Sequence, residues 1–434
     1  MIKQFIDFLL GLRWGDEGKG KWASYLLCLF VKEKKRKYKA IVKANGGSNS
    51  GHTQEHEGKK FVGHILPSGA LFPWITLLIG GGVVFDPVKF KKERDELKKM
   101  GIDISNRIFI AHNTILASPF EPFIDKALEY CKSGEKIGTT GSGIGPALAS
   151  DKYRNGLRMF YLFREDFTAK KNELFKMQKN LLLKFYDEYG YKADINLVDH
   201  AETLWIQAIE EISAEWICDM SEKIMELSED GDILVEGSQG FMLDVDWGDY
   251  PFVTSSSTIP TVLCSSLGIP HTAIRNVYGV IKPYETKVGG GPFPYRMDAE
   301  NEELFRKAAN EFGATTGRPR SCGWLDIPTL NRAIKITGTN KIFISKMDIC
   351  PVEKMKVFVG CKKDYMHGFS EITVGDLVSE EVPGWKNDTP VANLLHHDNF
   401  INRISGHLKT DECRVEIVAV GTGPNSSDYK EVFI

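Results

Sequence analysis

The segment Gly11-Leu12-Arg13-Trp14-Gly15-Asp16-Glu17-Gly18-Lys19-Gly20-Lys21 constrains this chain more than any other part of it. It follows the short apolar run Phe5–Leu10 and precedes a helical-looking stretch, Trp22–Val31. Strand, glycine-rich turn and helix is the layout that aims backbone N–H groups and a helix N-terminus at phosphates. The ordinary P-loop spacing fails, however: its first glycine would fall at Arg13 and its hydroxyl at Gly20. A phosphate loop without a magnesium-binding hydroxyl needs another ligand. The acid inside the loop, Asp16, is the first candidate for chemistry. The competing reading is a glycine turn with solvated charges, which four glycines, two lysines and two acids in so short a span disfavour.

A chain of 434 residues can bury a large α/β core. A net charge of −3 gives no sign of a nucleic-acid binder. The eight cysteines are scattered, with no Cys-x-x-Cys pair, which fits a reducing cytoplasm and argues against a zinc site. The N-terminal apolar run is too short to span a bilayer and runs directly into the glycine loop, so it reads as a core strand.

Strand-like runs recur at Ala40–Val42, Ile75–Ile79, Arg107–Ala111, Ile233–Val235, Val277–Ile281, Lys341–Ser345, Lys356–Gly360 and Val415–Val420, with helical stretches such as Pro87–Met100 between several of them. The alternation predicts an α/β fold, a large mostly parallel central sheet flanked by helices and P-loop-NTPase-like at its first turn. Residues 163–229 read as almost wholly helical, with Leu204, Ile206, Ile209, Ile212 and Trp216 in an amphipathic series. They are expected to form a helical insertion in one domain spanning 1–434.

Further glycine-rich and hydroxyl-rich loops punctuate the chain. Asn45–Thr53 ends in Ser50-Gly51-His52-Thr53, where a histidine can act as acid or phosphate donor. Gly138–Pro146 offers hydroxyls and free N–H groups, and Arg154 and Arg158 follow it. Glu236-Gly237-Ser238-Gln239-Gly240 directly follows a strand, and Gln239 suits the edge of a base. Thr254–Thr258 is a hydroxyl cluster, and Glu311–Arg320 combines hydroxyls with two arginines on a glycine-marked, closable loop. Ser345-Lys346-Met347-Asp348 ends a hydrophobic strand. An aspartate there accepts N1–H and the exocyclic amine of guanine, a pair adenine lacks. The Gly421-Thr422-Gly423-Pro424 turn can close over the same base.

Taken together, the chain resembles the adenylosuccinate synthetases from about residue 7 to its C-terminus. The likeness includes Trp14–Lys21, Ser50–Thr53, His64–Gly69, Gly143–Pro146, Glu236–Gly240, Tyr250–Ser256, Val288–Pro294 and Glu311–Arg320. The resemblance implies a ligase of AMP synthesis: IMP, L-aspartate and GTP give adenylosuccinate, GDP and phosphate through 6-phosphoryl-IMP. It implies one Mg²⁺ per subunit, held by Asp16 and the Gly51 carbonyl, in a cytoplasmic enzyme with no nucleic-acid or membrane partner. The catalytic set it implies is Asp16, Lys19, His52 and Gln239. GTP would meet Gly15, Asp16, Glu17, Gly18, Lys19, Gly20, Lys21, Gly51, His52, Thr53, Arg320, Lys346, Met347, Asp348, Gly421, Thr422 and Gly423. IMP would meet Asp16, Glu17, Gly18, Lys19, Asn49, Ser50, Gly51, His52, Thr140, Gln239, Thr254 and Arg318. Arg154 would reach IMP from the neighbouring subunit of a homodimer. Aspartate would lie on Ala314, Thr315, Thr316, Gly317, Arg318, Pro319 and Arg320.

Some positions depart from the family's usual pattern. Arg13 stands where Gln is usual and is expected to place an extra charge close to the phosphate loop. Ser48 replaces a larger residue, and Ser142 occupies a place often held by Arg or Lys. Two alternatives stay open: the same fold acting on another purine monophosphate such as dGMP, and a GTP-dependent switch without ligase chemistry. The retained Asp16, His52, Gln239 and Arg318 count against them.

Overall fold

A computed structural model describes residues 5–32, 38–313, 317–363, 372–385, 390–408, 415–423, 425 and 427–432. Its main sheet runs, from one edge, through strands Tyr429–Glu431, Glu416–Gly421, Lys341–Ile344, Ile274–Ile281, Ile6–Gly11, Asp232–Glu236, Tyr38–Gly46, Thr76–Phe85, Ile108–Ala111 and Ile217–Cys218. Every pairing along this path is parallel except that of the first two strands. A smaller sheet holds Tyr284–Lys287, Ser321–Asp326, Lys354–Cys361 and Leu377–Pro383, and a separate hairpin pairs His52–His56 with Lys59–Gly63.

The central strands are apolar on both faces because helices cover both. Leu9, Ile41, Leu77 and Leu234 point into one core with Trp22 and Leu26 of helix Lys19–Lys32. Phe8, Leu10, Val42, Leu78 and Val235 alternate into the other, with Leu227, Leu263 and Leu267. The run expected to be helical over 163–229 contains helices Phe167–Tyr189, Ile195–Ile209 and Met220–Asp230, but also the short edge strand Ile217–Cys218. Among the described residues no helix is long and apolar enough to cross a membrane.

Three non-glycine residues follow central strands with left-handed backbones: Asp16 (φ 59°), Gln239 (φ 59°) and Lys346 (φ 58°). Such conformations cost of order 1–3 kcal/mol each and persist where the surroundings over-determine them. All three lie just beyond the carboxyl ends of strands of a parallel sheet, where ligand sites form in open α/β folds.

Candidate active site

The turn after strand Ile6–Gly11 is stapled from within. The buried Glu17 carboxylate accepts from the Gly15 N–H at 2.8 Å and the Arg13 N–H at 3.2 Å. The Lys19 ammonium lies 2.9 Å from the same carboxylate and 2.6 Å from the Gln239 carbonyl. Gly15 and Gly18 hold φ near +85° and +92°, which a side chain would resist. Gly20 lies so close to the Thr53 carbonyl that a Cβ there would sit 2.4 Å from it, locking this turn to the histidine loop. Asp16 stays exposed on the cleft, its carboxylate 2.9 Å from the Arg320 Nε.

Arg13 corrects an expectation. Its side chain leaves the phosphate loop and is buried, with Nε 2.6 Å from Glu285 and Nη2 3.5 Å from Asp326. A buried charge needs such partners, so Arg13 adds no free charge to the phosphate loop. Burial still pushes the Glu285 carboxyl up to about 7, against the pull of Arg13.

His52 lines the cleft at the start of the hairpin, with Nδ1 2.8 Å from the buried Glu236 carboxylate. The other Glu236 oxygen accepts from the Ser68 N–H at 2.9 Å. Burial disfavours the ionised Glu236, yet the His52 charge, the bonds from His52 and Ser68, and Lys43 outweigh it and hold the carboxyl at about 2. Burial lowers the His52 imidazole below its ordinary value, with Glu236 pulling the other way. Glu236 thus fixes Nδ1 as the donor and leaves Nε2 for a ligand. The sequence offered a signal for it, an acid ending an apolar strand just before Gly-Ser-Gln-Gly, but no role.

Gln239 directs its amide nitrogen to the Asn49 oxygen at 3.3 Å. Asn45 braces this corner, accepting from the Ser238 N–H at 2.8 Å and donating to the Ser257 carbonyl at 3.0 Å. Thr140 and Thr254 line the same cleft, and the Thr140 hydroxyl meets that of Ser142 at 3.0 Å. Arg154 does not line the cleft of its own chain; it is exposed, with φ 63°, just after helix Ile144–Lys152.

In the first turn of helix Lys19–Lys32, Lys21 donates to the Gly423 carbonyl and, at 2.6 Å, to the Asp428 carbonyl, while burial lowers its ammonium to about 8. The Met347 N–H donates to the Gly421 carbonyl at 2.9 Å, but its side chain is buried in the core. Burial raises the Asp348 carboxyl, which faces Lys21. The Lys346 ammonium is held by the Ala309 carbonyl and the Glu311 carboxylate, both at 2.8 Å. Across the cleft, Gly313 closes a turn by donating to the Arg318 carbonyl at 2.8 Å, and the Arg318 guanidinium donates to the Gly138 carbonyl at 3.3 Å. Gly317 and Pro319 flank Arg318 on that turn; Ala314, Thr315 and Thr316 lie outside the described residues.

The cleft has a volume of about 880 Å³ and draws on residues from Trp14 to Gly423. It unites Gly15 to Lys21, Asn49 to Thr53, Thr140, Gln239, Thr254, Arg320, Lys346 and Gly423; Arg154, Gly317, Arg318, Pro319, Met347, Asp348, Gly421 and Thr422 are not among its lining residues.

A parallel sheet, a phosphate-type turn and a histidine–carboxylate pair converging on one long cleft define an enzyme acting on nucleotides. The family description Adenylosuccinate synthetase matches residues 8–430. The adenylosuccinate synthetase of Bacteroides thetaiotaomicron is 35% identical over 437 residues, covering 98% of each chain. That of Christiangramia forsetii is 37% identical over 431 residues, covering 96% of this chain and 97% of its own. The fully ligated adenylosuccinate synthetase of Plasmodium falciparum superposes with a TM-score of 0.80 at 28% identity, over 99% of this chain and 100% of that one. The succinoaminodeoxyadenylate synthetase of cyanophage S-2L, bound to dGMP and dATP, shares the fold alone, with a TM-score of 0.62 at 18% identity over 99% and 95% of the chains. The chain belongs to the adenylosuccinate synthetase family. Its activity is the GTP-dependent ligation of L-aspartate to IMP through 6-phosphoryl-IMP, in AMP synthesis.

Proposed function

We propose that this ligation runs in the described cleft with Asp16 as base and His52 as the donor to the transferred phosphoryl group. Asp16 takes the N1 proton of IMP, and O6 then attacks the γ-phosphorus of GTP. The O6–P bond forms as the bond to the β-phosphate oxygen breaks, releasing GDP. His52, its Nδ1–H held by Glu236, donates from Nε2 to the phosphoryl oxygens when the ring carries its second proton, and Lys19 offsets their charge. The aspartate amine next adds at C6, phosphate leaves and the amine loses a proton. The single observation carrying this reading is the juxtaposition of Asp16, Lys19, His52 and Gln239 on one cleft.

Gln239, Asn49, Ser50, Thr140 and Thr254 would hold IMP; Lys346, Met347, Asp348 and Gly421 to Gly423 would hold guanine; Gly317 to Arg320 would hold aspartate. Asp16 and the Gly51 carbonyl fit Mg²⁺, a hard ion that takes one or two protein oxygens and fills its shell with phosphates and water. In keeping with that, Asp16 presents an exposed carboxylate to the cleft, one oxygen of it paired with Arg320. When bound, the ion would neutralise charge on the GTP phosphates.

The exposed Arg154, set off from its own cleft, supports a homodimer in which it serves the partner's IMP. Its sequence neighbour Tyr153 is exposed as well and supplies apolar surface. We read the chain as one cytoplasmic catalytic unit with 163–229 as an insertion, because the cleft uses residues from both ends of the sequence.

The test follows the purine absorbance change with Mg²⁺, GTP, IMP and aspartate. Asp16→Asn should keep GDP affinity and lose turnover by roughly 10²-fold or more; a near-normal rate refutes the base role. Mixing Asp16→Asn with Arg154→Leu should restore activity that neither has alone, and no restoration refutes the shared site.

A further inference from the structure

We propose that Glu311 is a positioning residue that couples the guanine end of the cleft to Asp16. The inference rests on the site reading above and extends it to a residue outside the cleft lining. Glu311 is fully buried at the neck of the loop that carries Arg318 and Arg320. One carboxylate oxygen receives the Tyr284 hydroxyl at 2.6 Å, the Lys346 ammonium at 2.8 Å and the Lys282 ammonium at 3.1 Å. The other receives the Arg320 guanidinium, whose Nε then lies 2.9 Å from Asp16. The backbone repeats the tie, since the Arg320 N–H donates to the Glu311 carbonyl at 3.0 Å.

Three cations on one carboxylate leave surplus positive charge, which suits a cluster that meets an anionic nucleotide. Lys282 is buried too, and its ammonium donates to the Thr286 hydroxyl and to Glu311, neither of which lines the cleft, so it serves as the structural counter-charge. Lys346 and Arg320 line the cleft at two places, one beside the guanine turn and the other against Asp16. Each is aimed by one oxygen of the Glu311 carboxylate, Lys346 with the Ala309 carbonyl as a second anchor. A shorter or neutral side chain at 311 releases both at once. The guanine clamp and the partner of Asp16 then lose their aim together, while the IMP corner at Asn49 and Gln239, braced by Asn45, keeps its own support.

Two variants test this. Glu311→Asp keeps the charge but cannot reach all its donors. Glu311→Gln combined with Lys282→Met removes the buried counter-charge along with the carboxylate. The probes are GDP and IMP, each titrated alone by calorimetry, with kcat and thermal unfolding alongside. The expected result is a GDP Kd raised about tenfold or more with IMP affinity changed by less than about twofold, and a reduced kcat. GDP binding within about twofold of the parent, or a double variant restored in GDP affinity and kcat, overturns the proposal and leaves Glu311 as the neutraliser of Lys282. Equal weakening of GDP and IMP, or failure of both variants to fold, assigns Glu311 to stability and overturns it as well. A parent enzyme that makes no product while the GDP effect persists refutes the ligase reading and leaves the coupling standing.

Discussion

Replacing Glu236 by Gln isolates the orientation of His52 from its presence. The amide has the carboxylate's shape and can still accept from the Ser68 N–H, but it carries no charge toward the imidazole 2.8 Å away. A charge-assisted hydrogen bond is worth about 1.5–3 kcal/mol and a neutral one about 0.5–1.5, so the direct loss is about 1–2 kcal/mol, or roughly five- to thirtyfold in rate. Scrambling of the tautomer adds to this; the equivalent acid-to-amide change in serine proteases costs about 10⁴-fold. The expected outcome is a kcat at least about tenfold lower with Michaelis constants for IMP and GTP within about threefold.

The pH profile supplies a second reading of the same change. Glu236 raises the proton affinity of His52, so its loss lowers that affinity further. If protonated His52 is the donor, the falling basic limb of kcat moves to lower pH. Stability must be followed alongside. The carboxyl sits at about 2 in the fold against 4.5 for an ordinary glutamate, a difference worth about 3 kcal/mol at most. That contribution is present above pH 4.5 and fades as pH falls through about 2. Urea unfolding at neutral pH should therefore show a loss no larger than this. A variant that is folded and turns over within about threefold of the parent, with an unmoved basic limb, refutes the dyad.

Other perturbations have equally definite outcomes. Arg13→Gln strands Glu285 and Asp326 without their cation and should lower unfolding free energy by about 3–5 kcal/mol, much of it regained with Glu285→Gln; urea midpoints of the single and double variants decide it. Gly20→Ala pushes against the Thr53 carbonyl, which should cost about 1–3 kcal/mol in urea and depress kcat through the displaced His52 loop. Burial raises the Glu121 carboxyl to about 8 from 4.5. Between those values the unfolded chain is ionised and the folded chain is not, so stability falls as pH rises, and Glu121→Gln should flatten that fall in a series of melts. Removal of divalent metal by EDTA should abolish turnover and Mg²⁺ should restore it; activity persisting in metal-free buffer sinks the assignment of Asp16 and Gly51.

Local chemistry made much of this protein readable from its residues alone. The glycines of the first turn, the apolar runs that became central strands and the alternation with helices are short-range signals, because pleat and helix periods act over a few residues. The loops that would form the cleft were also visible, since left-handed turns and close backbone approach demand glycine and hydroxyl-bearing residues. Pairings between distant residues were not visible. Arg13 looked like a charge for the phosphate loop and became a buried partner of Glu285, 272 positions along the chain by simple subtraction of their numbers. Glu236 and Glu311 carried no local mark of their task, because a carboxylate's role depends on which cations and N–H groups the fold brings to it. Only the tertiary structure set His52 on Glu236 and Lys346 and Arg320 on Glu311. Sequence determined which segments could form strands, helices and turns; the folded sheet decided which charges meet, since electrostatic partnership is a matter of distance in space and of burial.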